Sequence, residues 1–416
     1  MIMNSTGTNQ SKNYLFPLII VGVMFFVIGF GVGISGMLIP FLRNAFTLTT
    51  SQSYLVTAAI FSAFVIFGAP SGWLITKIGY KLTMVSAFFV MALGMVLFVP
   101  SANMQSFPLF LLALFVGGIG NTLLQASVNP YVTILGPTES AAMRMSLMGI
   151  MNKAAWWLGP LFLSLFMNIE NARLNDVILP FYLVTGILVT LGIFVYFVRL
   201  PEVMAAGEDE TSEEALSGYA ANKTSIFQFP HLLLGVLALF FYVGVETLPM
   251  ASILDYAKMV FPDAGNIEGF AKWVPIGMVA GYIFGVIAIP RYISQGKVLI
   301  GFTFLGILAS LMVILLPGKY GIYFLAALGL ANSLMWPAIW PLAIADLGKF
   351  TKTGASLLVM AIVGGAVIPL IFGFLVDLFQ TGESASAADY QNAYWIFIPG
   401  YLIILYFALK GHKIRR

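Results

Sequence analysis

The chain has no cysteine and only two histidines among its 416 residues. The first absence excludes a disulfide framework and thiolate metal sites. The second leaves His231 and His412, too few for a histidine metal centre or a nucleophile–histidine triad. Charge is also scarce. Charged residues make up 9% of the chain, where a soluble domain carries about a quarter. No basic stripe runs beside aromatic residues on a polar segment, so nucleic acid is not an expected partner. The net charge of +3 says little more. What the chain does have is apolar residues, 60% of the total, with a mean hydropathy of +0.96. Its expected surroundings are therefore a lipid bilayer, and no constellation of residues points to an enzyme.

A polar start, "MIMNSTGTNQSKNY", precedes the first apolar run. That run is too long for a signal-peptide core and has no small-residue cleavage site after it, so it reads as a retained first span. About 20 apolar residues cross a bilayer as a helix. Windows of that length give spans over 15–42, 53–76, 82–100, 107–135, 145–167 and 177–198. Six more follow over 230–261, 270–290, 298–316, 320–345, 355–378 and 394–409. The sequence thus predicts an all-α integral membrane protein of twelve transmembrane helices.

The longest polar stretch divides these spans six and six. It predicts a bundle at 1–199, a solvated cytoplasmic linker at 200–229 that carries an acidic run, and a bundle at 230–416 ending in a short basic tail. With the N-terminus inside, fourteen Lys and Arg fall on inner loops and five on outer ones. Both termini are then expected in the cytoplasm, with the chain in the cell inner membrane.

The two halves echo each other. "GWLITKIGYK" after the second span has a counterpart in "GVIAIPRYISQGK" after the eighth. "SLMGIMNKAAWWLGPLFL" in the fifth resembles "SLLVMAIVGGAVIPLIF" in the eleventh, with Pro160 and Pro369 in matching places. Two parallel six-helix halves are an arrangement of secondary carriers, which hold substrate near the midplane between them.

The loop "GWLITKIGYK" is similar to the signature loop of the major facilitator superfamily, with Thr76 in place of its usual aspartate. Within that superfamily the chain resembles the fucose:proton symporter family of sugar transporters. The resemblance rests on "GNTLLQASVNPYVTILGP", "RMSLMGIMN", "FYVGVETL", "NSLMWPAIWPLAIADLG" and "GASLLVMAIVGGAVIPLIFGFLVD", in the family's order. It implies two pseudo-symmetric six-helix bundles and import of a monosaccharide, a hexose or deoxyhexose, by alternating access. It also implies that Asn152 stands where the family has a sugar-contacting asparagine, and Glu246 where it has a glutamine. The family's two coupling acids correspond here to Gly36 and Gln125, which cannot titrate.

Charges in mid-span are costly and mark functional positions by default. Lys153 and Glu246 are the two that fall clearly there, and their opposite signs and similar depth predict a pair between the halves, as a coupling or gating element. The alternative is a structural clamp. Asn121, Gln125 and Asn129 at i, i+4 and i+8 share a helix face. Asn332, Trp336 and Trp340 repeat that spacing. With Asn152 they are the expected sugar contacts, the alternative being interhelical hydrogen bonds and packed indoles. One of Trp156 and Trp157 is expected to pack, while Trp73, Trp273 and Trp395 read as interface anchors. "GVGISG", residues 31–36, satisfies G-x-G-x-x-G but lacks the strand and acid that nucleotide binding needs. Its small residues read instead as helix-contact points.

No cofactor is expected, and the coupling ion would be H+ or Na+. The expected partners are a small sugar and lipid, with the chain acting as a monomer. The other readings are a sugar uniporter or sodium-coupled carrier, a drug or metabolite exporter of the same fold, and a transporter-like receptor.

Overall fold

In a computed structural model of the protein, residues 14–48, 50–166, 173–208, 218–262, 268–380, 382 and 385–415 are described. Among these residues the chain is helical, with no strand. Nine helical stretches are long and apolar enough to cross a membrane. One of them, Leu55–Asn103, changes direction at Gly79 and makes two crossings. The shorter Trp273–Ala288 and the less apolar Ala141–Ser164 complete the twelve expected.

We number these crossings in chain order. The first half holds α1 (Leu15–Ala45), α2 and α3 (Thr50–Asn103, divided at Gly79), α4 (Phe107–Ile134), α5 (Ala141–Ser164) and α6 (Ile178–Phe197). The second holds α7 (Pro230–Val260), α8 (Trp273–Ala288), α9 (Gln295–Leu315), α10 (Gly318–Ile344), α11 (Gly348–Phe379) and α12 (Ala387–Lys413). The acidic residues after Glu208 in the linker, and Lys12 and Arg416, lie outside the described residues.

The turn between α2 and α3 shows why the signature loop needs its glycine. Gly79 has φ +80°, a conformation that costs a residue with Cβ far more. Proline is tolerated inside α7 and α11 because a neighbouring helix meets the carbonyl it frees, Asn332 donating to Val245 and Thr247 to Gly365.

Within each half, glycine lets helix backbones touch. A Cβ on Gly29 would strike the Asn152 carbonyl, and one on Gly33 the Trp156 carbonyl, so α1 and α5 lie in backbone contact. The second half repeats this between α7 and α11, where a Cβ on Gly364 would strike the Phe240 carbonyl. Of the "GVGISG" glycines, Gly33 packs, whereas Gly31 and Gly36 face open space.

Between the halves, close approaches gather at the end that carries both termini and continue to mid-depth. Gly72 on α2 faces Ser356 of α11, Gly285 on α8 faces Ser146 of α5, and Gly149 on α5 lies under the ring of Tyr282. Arg144, counted from sequence among the loop charges, is instead buried to 3% exposure. It donates to the carbonyls of Val132 (3.0 Å), Thr133 (2.7 Å) and Pro137 (2.9 Å) and to Ser140 Oγ (2.7 Å). The first two belong to the last turn of α4, so the guanidinium caps that helix's unpartnered carbonyls and its negative end.

The linker is not wholly solvated. Glu208 has a side chain only 6% exposed and pairs with Lys352 Nζ at 2.8 Å. Lys352 in turn sits 5.6 Å above the ring of Tyr80, just past the α2–α3 turn. One ammonium therefore ties the linker and α11 to the first half. Glu208→Gln is expected to raise labelling of a Ser356→Cys variant about fivefold, the effect of losing ~1 kcal/mol from a partly exposed pair. The chain's lack of other cysteines makes that readout clean.

Candidate functional site

At mid-depth, α5 and α7 each place one charge toward the other half. Lys153 Nζ lies 3.2 Å from Glu246 Oε1, with the two side chains 12% and 11% exposed. The pair expected from sequence is thus formed, and it spans the halves. Both groups are largely desolvated, which strengthens their attraction and makes loss of either partner costly.

Around this pair the polar residues divide into two groups. Asn121, Asn152, Lys153 and Trp336 keep part of their surface open, and Gln125 is nearly closed. Gln125 Nε2 donates to Asn121 Oδ1 at 3.3 Å, joining two amides along α4. Asn152 Nδ2 donates to the Phe25 carbonyl at 3.2 Å, which orients it on α1 through the same close contact that Gly29 permits. Its carbonyl oxygen remains an acceptor for a ligand hydroxyl. Trp336 offers an indole beside Tyr242, with ring centroids 6.2 Å apart. Amides that donate and accept, next to an aromatic plane, suit a polyhydroxylated ring.

Asn129, Asn332 and Trp340 are placed differently. Asn129 is fully buried and donates to the Gln125 carbonyl at 2.9 Å. Asn332 is buried and donates to the Val245 carbonyl at 3.0 Å while accepting from the Tyr401 hydroxyl at 2.7 Å. Its amide binds α10 to α7 and α12. Trp340 is wholly buried, its ring 5.6 Å from that of Trp336. Regular helix pauses at Leu334, between Asn332 and Trp336, and the two indoles that follow stay together but differ in burial. Only Trp336 of the three keeps open surface. Trp157 is 43% exposed and Trp156 is the more enclosed of that pair, while Trp73, Trp273 and Trp395 are exposed, as anchors would be.

The site also holds residues not anticipated from the sequence. Tyr242, Tyr282 and Tyr401 all lie within electrostatic reach of the Glu246 carboxylate. Tyr242 was discoverable, since it stands one helical turn before Glu246. Tyr401 was not, because nothing local links it to Asn332, 69 positions away. Among the described residues no cluster of His, Asp and Glu could hold a metal ion.

Comparison with known proteins decides the family. The model of the Major Facilitator Superfamily matches residues 21–362. The chain belongs to the major facilitator superfamily. This major facilitator protein is 34% identical over 420 residues to a glucose/galactose transporter of Brucella abortus, covering 98% of this chain and 97% of that one. It is 27% identical to the L-fucose-proton symporter of Escherichia coli, over 88% of each chain. The crystal structure of FucP, a superfamily transporter in the outward conformation, superposes with a TM-score of 0.82 at 25% identity, covering 95% of this chain and 98% of that one. The chain is therefore a multi-pass membrane protein with the superfamily's two six-helix bundles, and it is a transporter rather than an enzyme.

Proposed function

We propose that this carrier imports a monosaccharide, a hexose or deoxyhexose, across the cell inner membrane by alternating access. The observation that carries the reading is the half-open Asn121, Asn152 and Trp336, with Gln125 bonded to Asn121, around an ion pair between the halves. Relatives that carry glucose, galactose or fucose support it. Basic residues concentrate at the end with both termini, which supports placing that end in the cytoplasm. The close approaches at that end then correspond to an outward-facing conformation.

In this scheme sugar enters from outside and displaces water around Asn121, Gln125 and Asn152. Trp336 covers one face of the ring. Asn129, Asn332 and Trp340 hold the helices that present these groups. As the halves rock, Lys153 and Glu246 separate, so the pair reports which way the site faces. Glu246 is the carboxylate available to carry a proton in place of the acids missing at Gly36 and Gln125. Its titration would couple uptake to H+, and no resident cofactor is needed.

The test is uptake by purified protein in liposomes, using D-glucose, D-galactose and L-fucose with imposed pH or sodium gradients. Accumulation of a sugar driven by the pH gradient is expected. Equilibration without accumulation would make the protein a uniporter, and dependence on sodium alone would move coupling to Na+. Absence of uptake and of exchange for every sugar would overturn the reading.

A further inference from the structure

An ion pair between two moving bodies raises a question that the closed pair conceals. When α5 and α7 part, Lys153 leaves with the first half and Glu246 stays buried in the second. A desolvated carboxylate needs either a proton or a hydrogen-bond donor that travels with it.

Three tyrosines lie within reach of Glu246, and two of them stand on helices other than its own. Tyr401 donates to Asn332 at 2.7 Å. Tyr282 has its ring against Gly149 of the opposite half. Tyr242 differs: it is fully buried with its hydroxyl beside the Glu246 carboxylate, and that contact does not close to a well-formed hydrogen bond while Lys153 holds the carboxylate. An unmet buried hydroxyl is uncommon and calls for an explanation. Tyr242 stands four residues before Glu246 on α7, on the same face, so the two move as one body.

We infer that Tyr242 is a positioning residue that receives the Glu246 carboxylate when Lys153 withdraws. This rests on the reading of Lys153 and Glu246 as a pair that opens during the transport cycle. The contact is poor here because the ammonium holds the carboxylate, and it tightens into a full hydrogen bond when the terminus-bearing end opens. Its hydrogen bond then stabilises the open state. Tyr242 is thus assigned to the rate of the conformational change rather than to sugar affinity.

The experiment uses the full chain with spin labels on Glu139→Cys and Lys297→Cys, exposed positions of opposite halves at the terminus-bearing end. The absence of native cysteine leaves no competing label site. Tyr242→Phe, which removes only the hydroxyl, is expected to reduce the ratio of long to short label distances about tenfold, the weight of one hydrogen bond to a charged group. In the Glu246→Gln background the same change should have no further effect. In liposomes, Vmax should fall by a similar factor while KM for the sugar stays unchanged. An unchanged distance distribution in Tyr242→Phe would overturn the inference. So would an equal shift in both backgrounds, which marks a packing role. The distance measurement requires no sugar, so it still judges Tyr242 if sugar uptake itself fails.

Discussion

Lys153→Met is expected to reduce transport at least about 100-fold and to destabilise the protein by ~3 kcal/mol, the lower end of the range for stranding one member of a buried pair. The lower end applies because both side chains keep about a tenth of their surface open. The variant leaves Glu246 with no cation at 3.2 Å in a setting that water only partly reaches. The informative companion is Lys153→Met combined with Glu246→Gln. Removing both charges eliminates the stranded one, so thermal stability should return to near that of the native chain. Transport should not return, because no charge pair then links the two halves at mid-depth. Exchanging the charges, as Lys153→Glu with Glu246→Lys, should restore part of the transport. Recovery of both stability and full transport in the doubly neutral variant would show that the pair only clamps the bundle. Measurement of thermal unfolding alongside liposome uptake separates these outcomes.

The second large effect is expected from one methyl group. Gly29→Ala places a Cβ onto the Asn152 carbonyl, where the obstacle is backbone and cannot rotate away. Overpacking of this kind costs about 1–3 kcal/mol and sometimes more, and a rigid obstacle puts this site at the upper end. The displaced segment also carries Asn152 and Lys153, so uptake should fall with stability. Gly31→Ala, two residues along and facing open space, is the control. It should be neutral or slightly stabilising, since alanine is favoured over glycine in a helix by up to about 1 kcal/mol. Gly364→Ala should repeat the Gly29 effect in the second half, against the Phe240 carbonyl. Equal tolerance at Gly29 and Gly31 would refute the close contact of α1 with α5.

How much of this was legible in the chain follows from the range of each interaction. The twelve crossings were legible because hydropathy is a local sum, and the mid-span charges because two isolated charges in oil stand out. Their pairing could be expected from sign and depth alone. The packing role of Asn332 was not legible, since its partners Val245 and Tyr401 lie on two other helices. Periodicity suggested that Asn332, Trp336 and Trp340 share a face, but sharing a face does not set depth, and Asn332 and Trp340 are buried where Trp336 keeps open surface. Glu208 was hidden for a different reason. Composition marks its segment as acidic and solvated, while a single residue at the edge of that segment is buried against Lys352. Composition averages over such a residue.

The glycine contacts of α1 with α5 and of α7 with α11 have a mechanical consequence. Dispersion at this range falls by about a quarter to a half within an ångström of separation, so each half moves as a stiff lever rather than a bending one. A lever turns displacement into distance from its fulcrum. Lys153 and Glu246, at mid-depth, then travel little, enough to lose a hydrogen bond but not to leave each other's field. The Gly72–Ser356 seam and the Lys352 grip at the far end of the same levers travel furthest. A short stroke at the centre thus works a wide gate at the rim, and the central pair is always near enough to re-form.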